Sequence, residues 1–121
     1  MPASIDVAGS AFRDLVAYRL AAALANDLYE VVSGWPRLPL WSVGVQMVRA
    51  ADSVAANIAE AEGRFNWADR RRFLLIARGS LYETEHWLLQ AEQRKLLPEG
   101  SSERIEEIAK TLNGLVKRRT A

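Results

Sequence analysis

Three short interruptions, and the character of the stretches between them, leave this chain few folds to choose from. The breaks are Ser33-Gly34-Trp35-Pro36 with Pro39 close behind, a turn at Gly63, and Leu96-Leu97-Pro98-Glu99-Gly100. Between them, apolar residues recur at three and four positions, the spacing of one helical face. The first stretch, from about Phe12 to Val32, is rich in Ala and Leu and predicts a helix closed by Gly34 as a left-handed cap, with Pro36 unable to continue the ladder. A second helix is expected to begin between Pro39 and Ser42, with Ser42 as a cap, and to stop at Gly63. Its seam is Met47, Ala51, Val54, Ile58 and Ala61. Asn66 or Asp69 can cap a third helix reaching about Lys95, with Phe73, Leu74, Ala77, Leu81, Thr84, Leu88 and Ala91 inward. Ser102 introduces a fourth, with Ile105, Ile108, Ala109, Leu112, Leu115 and Val116 on one side. No stretch alternates at the period of a strand. Short links place successive helices side by side, so the expectation is an all-α, antiparallel up-down-up-down four-helix bundle.

Composition narrows the function classes. The 121 residues fit a single domain, 1–121, with disordered ends at about 1–10 and 119–121. The absence of cysteine excludes a disulfide framework, a thiol nucleophile and a Cys-based zinc site. No apolar run reaches the roughly 20 residues of a membrane span, and Met1 to Asp6 lacks a basic segment leading into an apolar one. A cytoplasmic protein without a membrane partner is expected. Sixteen Lys and Arg against 15 Asp and Glu give a net charge of +1, so any basic function must be local.

One polar line crosses the otherwise apolar second helix. Gln46, Arg49, Ser53, Asn57, Glu60 and Arg64 recur at steps of three and four, a row along one side. Three readings are open: a solvent face, an internal or intersubunit network, and a ligand site. Outer stripes of bundles are usually dense in Lys and Glu, whereas short Ser and Asn side chains suit a confined place. A turn near Gly63 to Trp67 would bring Arg49 beside Ser80 and Glu83. An Arg49–Glu83 pair with Ser53 and Ser80 hydrogen bonds would then fix helix register or an intersubunit contact.

The catalytic inventory is thin. His86 is the single histidine, and Tyr82 and Gln90 stand four residues either side of it, so no metal pair forms on that helix. Glu83 and Glu85 lie on different faces, and Gly63-Arg64 is not a phosphate-cradling loop. No cofactor, metal or small-molecule substrate is expected. Local basicity is the better lead: Arg64, Arg70, Arg71, Arg72 and Arg78 cluster near Phe65 and Trp67, and Lys117, Arg118 and Arg119 form a second group. Guanidinium and ammonium groups on one surface can take phosphates, and neighbouring aromatics can stack on unpaired bases.

The pattern Trp35-Pro36, Trp41-Ser42-Val43, Gln46, Arg49-Ala50, Ser53, Asn57-Ile58-Ala59-Glu60, Gly63-Arg64, Phe73-Leu74, Ala77, Gly79-Ser80 and Glu83 resembles a bacterial four-helix-bundle family. Its members include proteins encoded in intervening sequences of 23S ribosomal RNA genes, related to accessory variability proteins of diversity-generating retroelements. The match spans about Phe12 to Leu97. Leu38 and Pro39 stand where acidic residues often follow the aromatic-Pro turn, and Ala61 replaces the Gly after Glu60. The resemblance implies a ring-like homopentamer, which agrees with the excess apolar circumference of the first helix. It also implies nucleic-acid binding and partnership with a reverse transcriptase through basic surfaces. The expected function is a non-enzymatic homo-oligomeric scaffold that binds RNA or an RNA-protein complex, with a protein-interaction module that binds no nucleic acid as the alternative.

Overall fold

The computed structural model describes Phe12 and residues 15–118. The ends expected to be disordered, 1–10 and 119–121, lie outside the described residues, as does Arg119. Among the described residues there are four long helices and no strand: α1 (Val16–Ser33), α2 (Val45–Glu62), α3 (Trp67–Gln93) and α4 (Arg104–Lys117). The helices follow from apolar stripes at helical spacing, and what buries them is each other. α2 packs most extensively on α3 and then on α1, whereas α4 closes more lightly on α3 and α1. Among the described residues α1 does not meet α3, nor α2 α4, so each helix has two neighbours and the core lies between all four.

The stripes read from sequence are the buried ones. Met47, Ala51, Val54, Ile58 and Ala61 of α2 are buried, as are Leu74, Ala77, Leu81, Leu88 and Ala91 of α3 and Ile105, Ile108, Leu112 and Val116 of α4. Phe73, Ala109 and Leu115, also expected inward, are only partly covered. Thr84 is the one buried polar residue of the described chain, and its Oγ1 donates to the Ser80 carbonyl at 2.8 Å, which removes the penalty of an unpaired hydroxyl. No helix is long and apolar enough to cross a membrane.

The punctuation differs from the sequence expectation in four places. Gly34 ends α1 at φ −93°, not in the left-handed region, because its N–H and that of Trp35 are satisfied by the Val31 and Val32 carbonyls in a tightened last turn. Pro39 does not prolong the break. It sits in the opening helical turn Arg37–Pro39, where a missing N–H is harmless. Ser42 does not cap, since its hydroxyl donates back to the Leu38 carbonyl inside a wide turn, Leu40–Gly44, in which the Val45 N–H reaches the Leu40 carbonyl. Ser102 does not cap α4 either; its N–H donates to Glu92 Oε2 at 2.9 Å and ties the loop to α3.

Two turn signals hold: Gly63 caps the end of α2, and Asn66 starts α3. Asn66 Oδ1 accepts from the Asp69 N–H at 2.8 Å and caps α3. At the other end of α3 the left-handed position is taken by Lys95, φ 59°, with the Leu96 N–H reaching the Ala91 carbonyl at 2.8 Å. Gly44 is fixed by space. A Cβ there would stand 2.6 Å from Val32 Cγ1 and 3.3 Å from Trp35 Cε3.

Candidate nucleic-acid interface

The polar row divides into two parts. Its middle is a half-buried network: the Ser53 and Ser80 hydroxyls are 2.8 Å apart, and Asn57 Nδ2 donates to the Ser53 carbonyl at 2.8 Å and to Ser53 Oγ at 3.0 Å. This joins α2 to α3. The outer members Gln46, Arg49, Glu60 and Glu83 are exposed. No ion pair links Arg49 to Glu83 among the described residues, and Glu83 accepts instead from Trp87 Nε1 at 3.2 Å. The link from Gly63 to Asn66 sets a register in which Ser53, one turn beyond Arg49, stands opposite Ser80. Arg49 borders an apolar groove formed with Tyr29, Val32, Leu40, Val45 and Val48.

Several of the sequence-predicted basic residues are committed locally. Arg64 Nη2 contacts Glu60 Oε2 at 2.6 Å, its Nη1 lies 3.7 Å from Asp69 Oδ2, and its guanidinium stands 4.6 Å from the centre of the Phe73 ring. Arg72 shares both partners, with Asp69 Oδ1 at 3.0 Å and the Phe73 ring at 4.4 Å. Arg78 donates to Asn113 Oδ1 at 3.1 Å and so bridges α3 to α4. Arg64 links the end of α2 to the start of α3 and Arg78 links α3 to α4, whereas Arg72 stays within α3; all three retain part of their donor capacity.

Arg70, Arg71, Lys117 and Arg118 are freer. Arg70 Nε donates to the Arg64 carbonyl at 2.7 Å, which aims the guanidinium and leaves its terminal nitrogens open. Arg71 makes no hydrogen bond or ion pair among the described residues and flanks a shallow apolar hollow with Trp67, Leu75 and Ile76. Lys117 and Arg118 are exposed at the end of α4. The two basic groups, far apart in the chain, meet here: Arg70 and Arg118 line one cavity together with Trp67. Sequence reasoning treated them as separate clusters. The up-down-up-down order expected from the helix count and short links would have joined them.

Stability does not account for this arrangement. Arg70, Arg71 and Arg72 crowd the N-terminal turns of α3, where the helix dipole disfavours cations by a few tenths of a kcal/mol or more each, and Asp69 is the only acid of that first turn. Phe65, beside them, is fully exposed. A cationic, aromatic-edged surface of this kind suits a polyanion. Catalytic alternatives are poorer: His86 is exposed and stacks edge-on with Trp87 at 4.8 Å, Tyr82 and Glu83 are exposed, and no three metal-ligating side chains converge among the described residues.

The sequence profile of a family described as 23S rRNA-intervening sequence protein matches residues 13–118. Among solved structures, a protein of unknown function from the S23 ribosomal protein family of Bacteroides thetaiotaomicron superposes with a TM-score of 0.73 at 24% identity. That alignment covers 85% of this chain and all of the other, and it establishes a shared fold. No curated protein matches.

Proposed function

We propose that this chain, which belongs to the 23S rRNA-intervening sequence protein family, is a non-enzymatic, homo-oligomeric cytoplasmic scaffold that binds RNA or an RNA-protein complex through one basic end of an antiparallel up-down-up-down bundle. The observation that carries the reading is that Arg70 and Arg118, with Arg71 and Lys117 next to them in the chain, line one cavity with Trp67 where all four helices present an end. The starts of α1 and α3 and the ends of α2 and α4 share that cavity, which supports the alternating direction of the helices. Phosphates need only such a cluster of unengaged cations on one accessible surface.

Assembly is supported by exposed apolar side chains on helices that do not touch. Tyr29 and Val31 of α1, Trp41 at 66% exposure before α2, and Ile76, Tyr82 and Leu89 of α3 are all exposed. Exposed apolar residues spread over unlike elements suit a head-to-tail ring, and a homopentamer is the ring we favour. Repetition around a ring multiplies weak phosphate contacts. A reverse transcriptase of the retroelement type is the protein partner this reading accommodates.

Filter binding of single-stranded RNA across a salt series tests the proposal. Affinity should fall with salt and fall further when Arg70, Arg71 and Arg118 become Ala, with a shallower salt slope. Affinity independent of both would overturn it. Native mass measurement tests assembly, and a monomer at micromolar concentration would remove the ring. A second reading is a protein-interaction module, favoured by the exposed Leu38, Trp41 and Phe65 and by the local engagement of Arg64, Arg72 and Arg78. A polypeptide retained after nuclease treatment, with no salt-dependent RNA affinity, would select it.

A further inference from the structure

The cavity between Arg70 and Arg118 contains a charge that the surface reading does not use. It has a volume of about 180 Å³ and an apolar floor of Leu15, Ala61, Leu74 and Leu115, and Trp67 and Glu62 also line it. Glu62 makes no hydrogen bond or ion pair with either arginine or with any other group among the described residues. Opposite charges therefore line one hollow without pairing. A ligand that satisfied all three would have to carry anionic oxygens at one end, N–H donors at the other and a flat or apolar body between.

The placement of these charges points the same way. Glu62 is the last residue of α2, at the negative end of that helix, and Arg70 stands near the first turn of α3, at the positive end. Each is at the helix terminus its charge disfavours. Glu62 has no compensating contact there and Arg70 only the Arg64 carbonyl at its Nε, so stability does not explain the pair.

We infer that the cavity is a single-nucleotide pocket that takes one unpaired guanine of single-stranded RNA, with its base on the apolar floor against Trp67, its N–H edge on Glu62 and its phosphates on Arg70 and Arg118. Guanine presents two adjacent donors, N1–H and the N2 amine, that one carboxylate accepts together; uracil has one ring N–H flanked by carbonyls, which a carboxylate repels. Two guanidinium groups suit a phosphodiester and its neighbour, whereas a free amino acid would need only one for its carboxylate. Duplex RNA keeps its bases stacked and cannot enter. The inference rests on the RNA reading above and adds a base preference to it.

The test is fluorescence anisotropy with two labelled RNA octamers of equal charge, oligouridine and the same strand with one central guanine, against the full chain and its Glu62→Gln variant. The guanine strand should bind the wild type about tenfold more tightly, the size of one good bidentate base contact. Glu62→Gln should erase that preference while leaving oligouridine binding unchanged or stronger, since an amide offers a donor where the base also offers one. Equal melting of the two proteins checks that the fold is intact, as expected for a half-buried carboxylate with no partner. If both strands bind the wild type equally, or the preference survives in Glu62→Gln, the pocket assignment falls and the RNA reading stands. If neither strand binds, the RNA reading falls with it. Leucine quenching tryptophan fluorescence in the wild type but not in a Trp67→Phe variant, with guanosine monophosphate giving no such difference, would reassign the cavity to amino acids and overturn the inference.

Discussion

Gly44 gives the sharpest test of the packing argument. An alanine Cβ there would sit 2.6 Å from Val32 Cγ1, about an ångström inside ordinary carbon–carbon contact. Val32 cannot turn away easily, because it is 4% exposed and a β-branched residue in a helix has essentially one χ1 rotamer. Trp35 Cε3 at 3.3 Å closes the other side. Forcing a methyl group into a packed site of this kind costs roughly 1–3 kcal/mol. Against that, Gly44 has φ −59° and ψ −52°, a conformation alanine prefers, and the backbone term returns up to about 1 kcal/mol. The net is a loss of roughly 1–2 kcal/mol, or a fall in Tm of about 4–8 °C for a chain of this size. Urea unfolding and thermal melts at fixed protein concentration read it directly. Gly79→Ala is the control, because nothing lies within 4 Å of a Cβ at that helical position, and it should gain about 0.5–1 kcal/mol in the protomer. In a Val32→Ala background the cost of Gly44→Ala should shrink by about 1 kcal/mol or more, as coupled neighbours do. A Gly44→Ala protein as stable as wild type would refute the account of that turn.

Three further outcomes are expected. Asn66→Ala should cost about 1 kcal/mol, because it orphans the Asp69 N–H at the start of α3, and hydrogen exchange should show that first turn fraying. Lys95→Gly should stabilise by roughly 0.5–1 kcal/mol, since a lysine at positive φ carries steric cost that glycine lacks; unchanged or lower stability would contradict the left-handed geometry there. Ser53→Ala should cost about 1–2 kcal/mol by stripping partners from Ser80 and Asn57 in a half-buried place, with a double-mutant cycle against Ser80→Ala showing strong non-additivity.

The helices were legible because their apolar residues keep one period through each stretch, and burial obeys that period: Met47 through Ala61 and Leu74 through Ala91 fall where the spacing puts them. Turn chemistry was less legible. Gly34 and Pro39 signal a break in any local reading, yet Gly34 needs no left-handed backbone once the last carbonyls are met by a tightened turn, and Pro39 is harmless in an opening turn. Lys95 is the reverse case, a residue with no preference for positive φ placed there by the Leu96 and Leu97 bonds to Ala91. The Ser53, Asn57 and Ser80 network was visible as short polar residues in line, but its register was not, because the Gly63 to Asn66 link shifts the pairing by a full turn. Arg49 and Glu83 therefore remain outside it. The convergence of Arg70 with Arg118 depends on tertiary folding, as does the unpaired state of Glu62, and neither residue carries a local signal of it.

The four helices are not equally secured. α4 leans on its neighbours more lightly than α2 does, and its outward anchors are modest: Arg104 to Asp27 at 2.7 Å on the surface and Arg78 to Asn113 at 3.1 Å. Local opening in such a bundle begins with the element that has least to lose. Leu115 belongs to that element and Arg118 directly follows it, and both line the cavity. A molecule lodged in the cavity would grip the last helix to the other three, so occupancy should register first as slower amide exchange along α4, well before any shift in global unfolding.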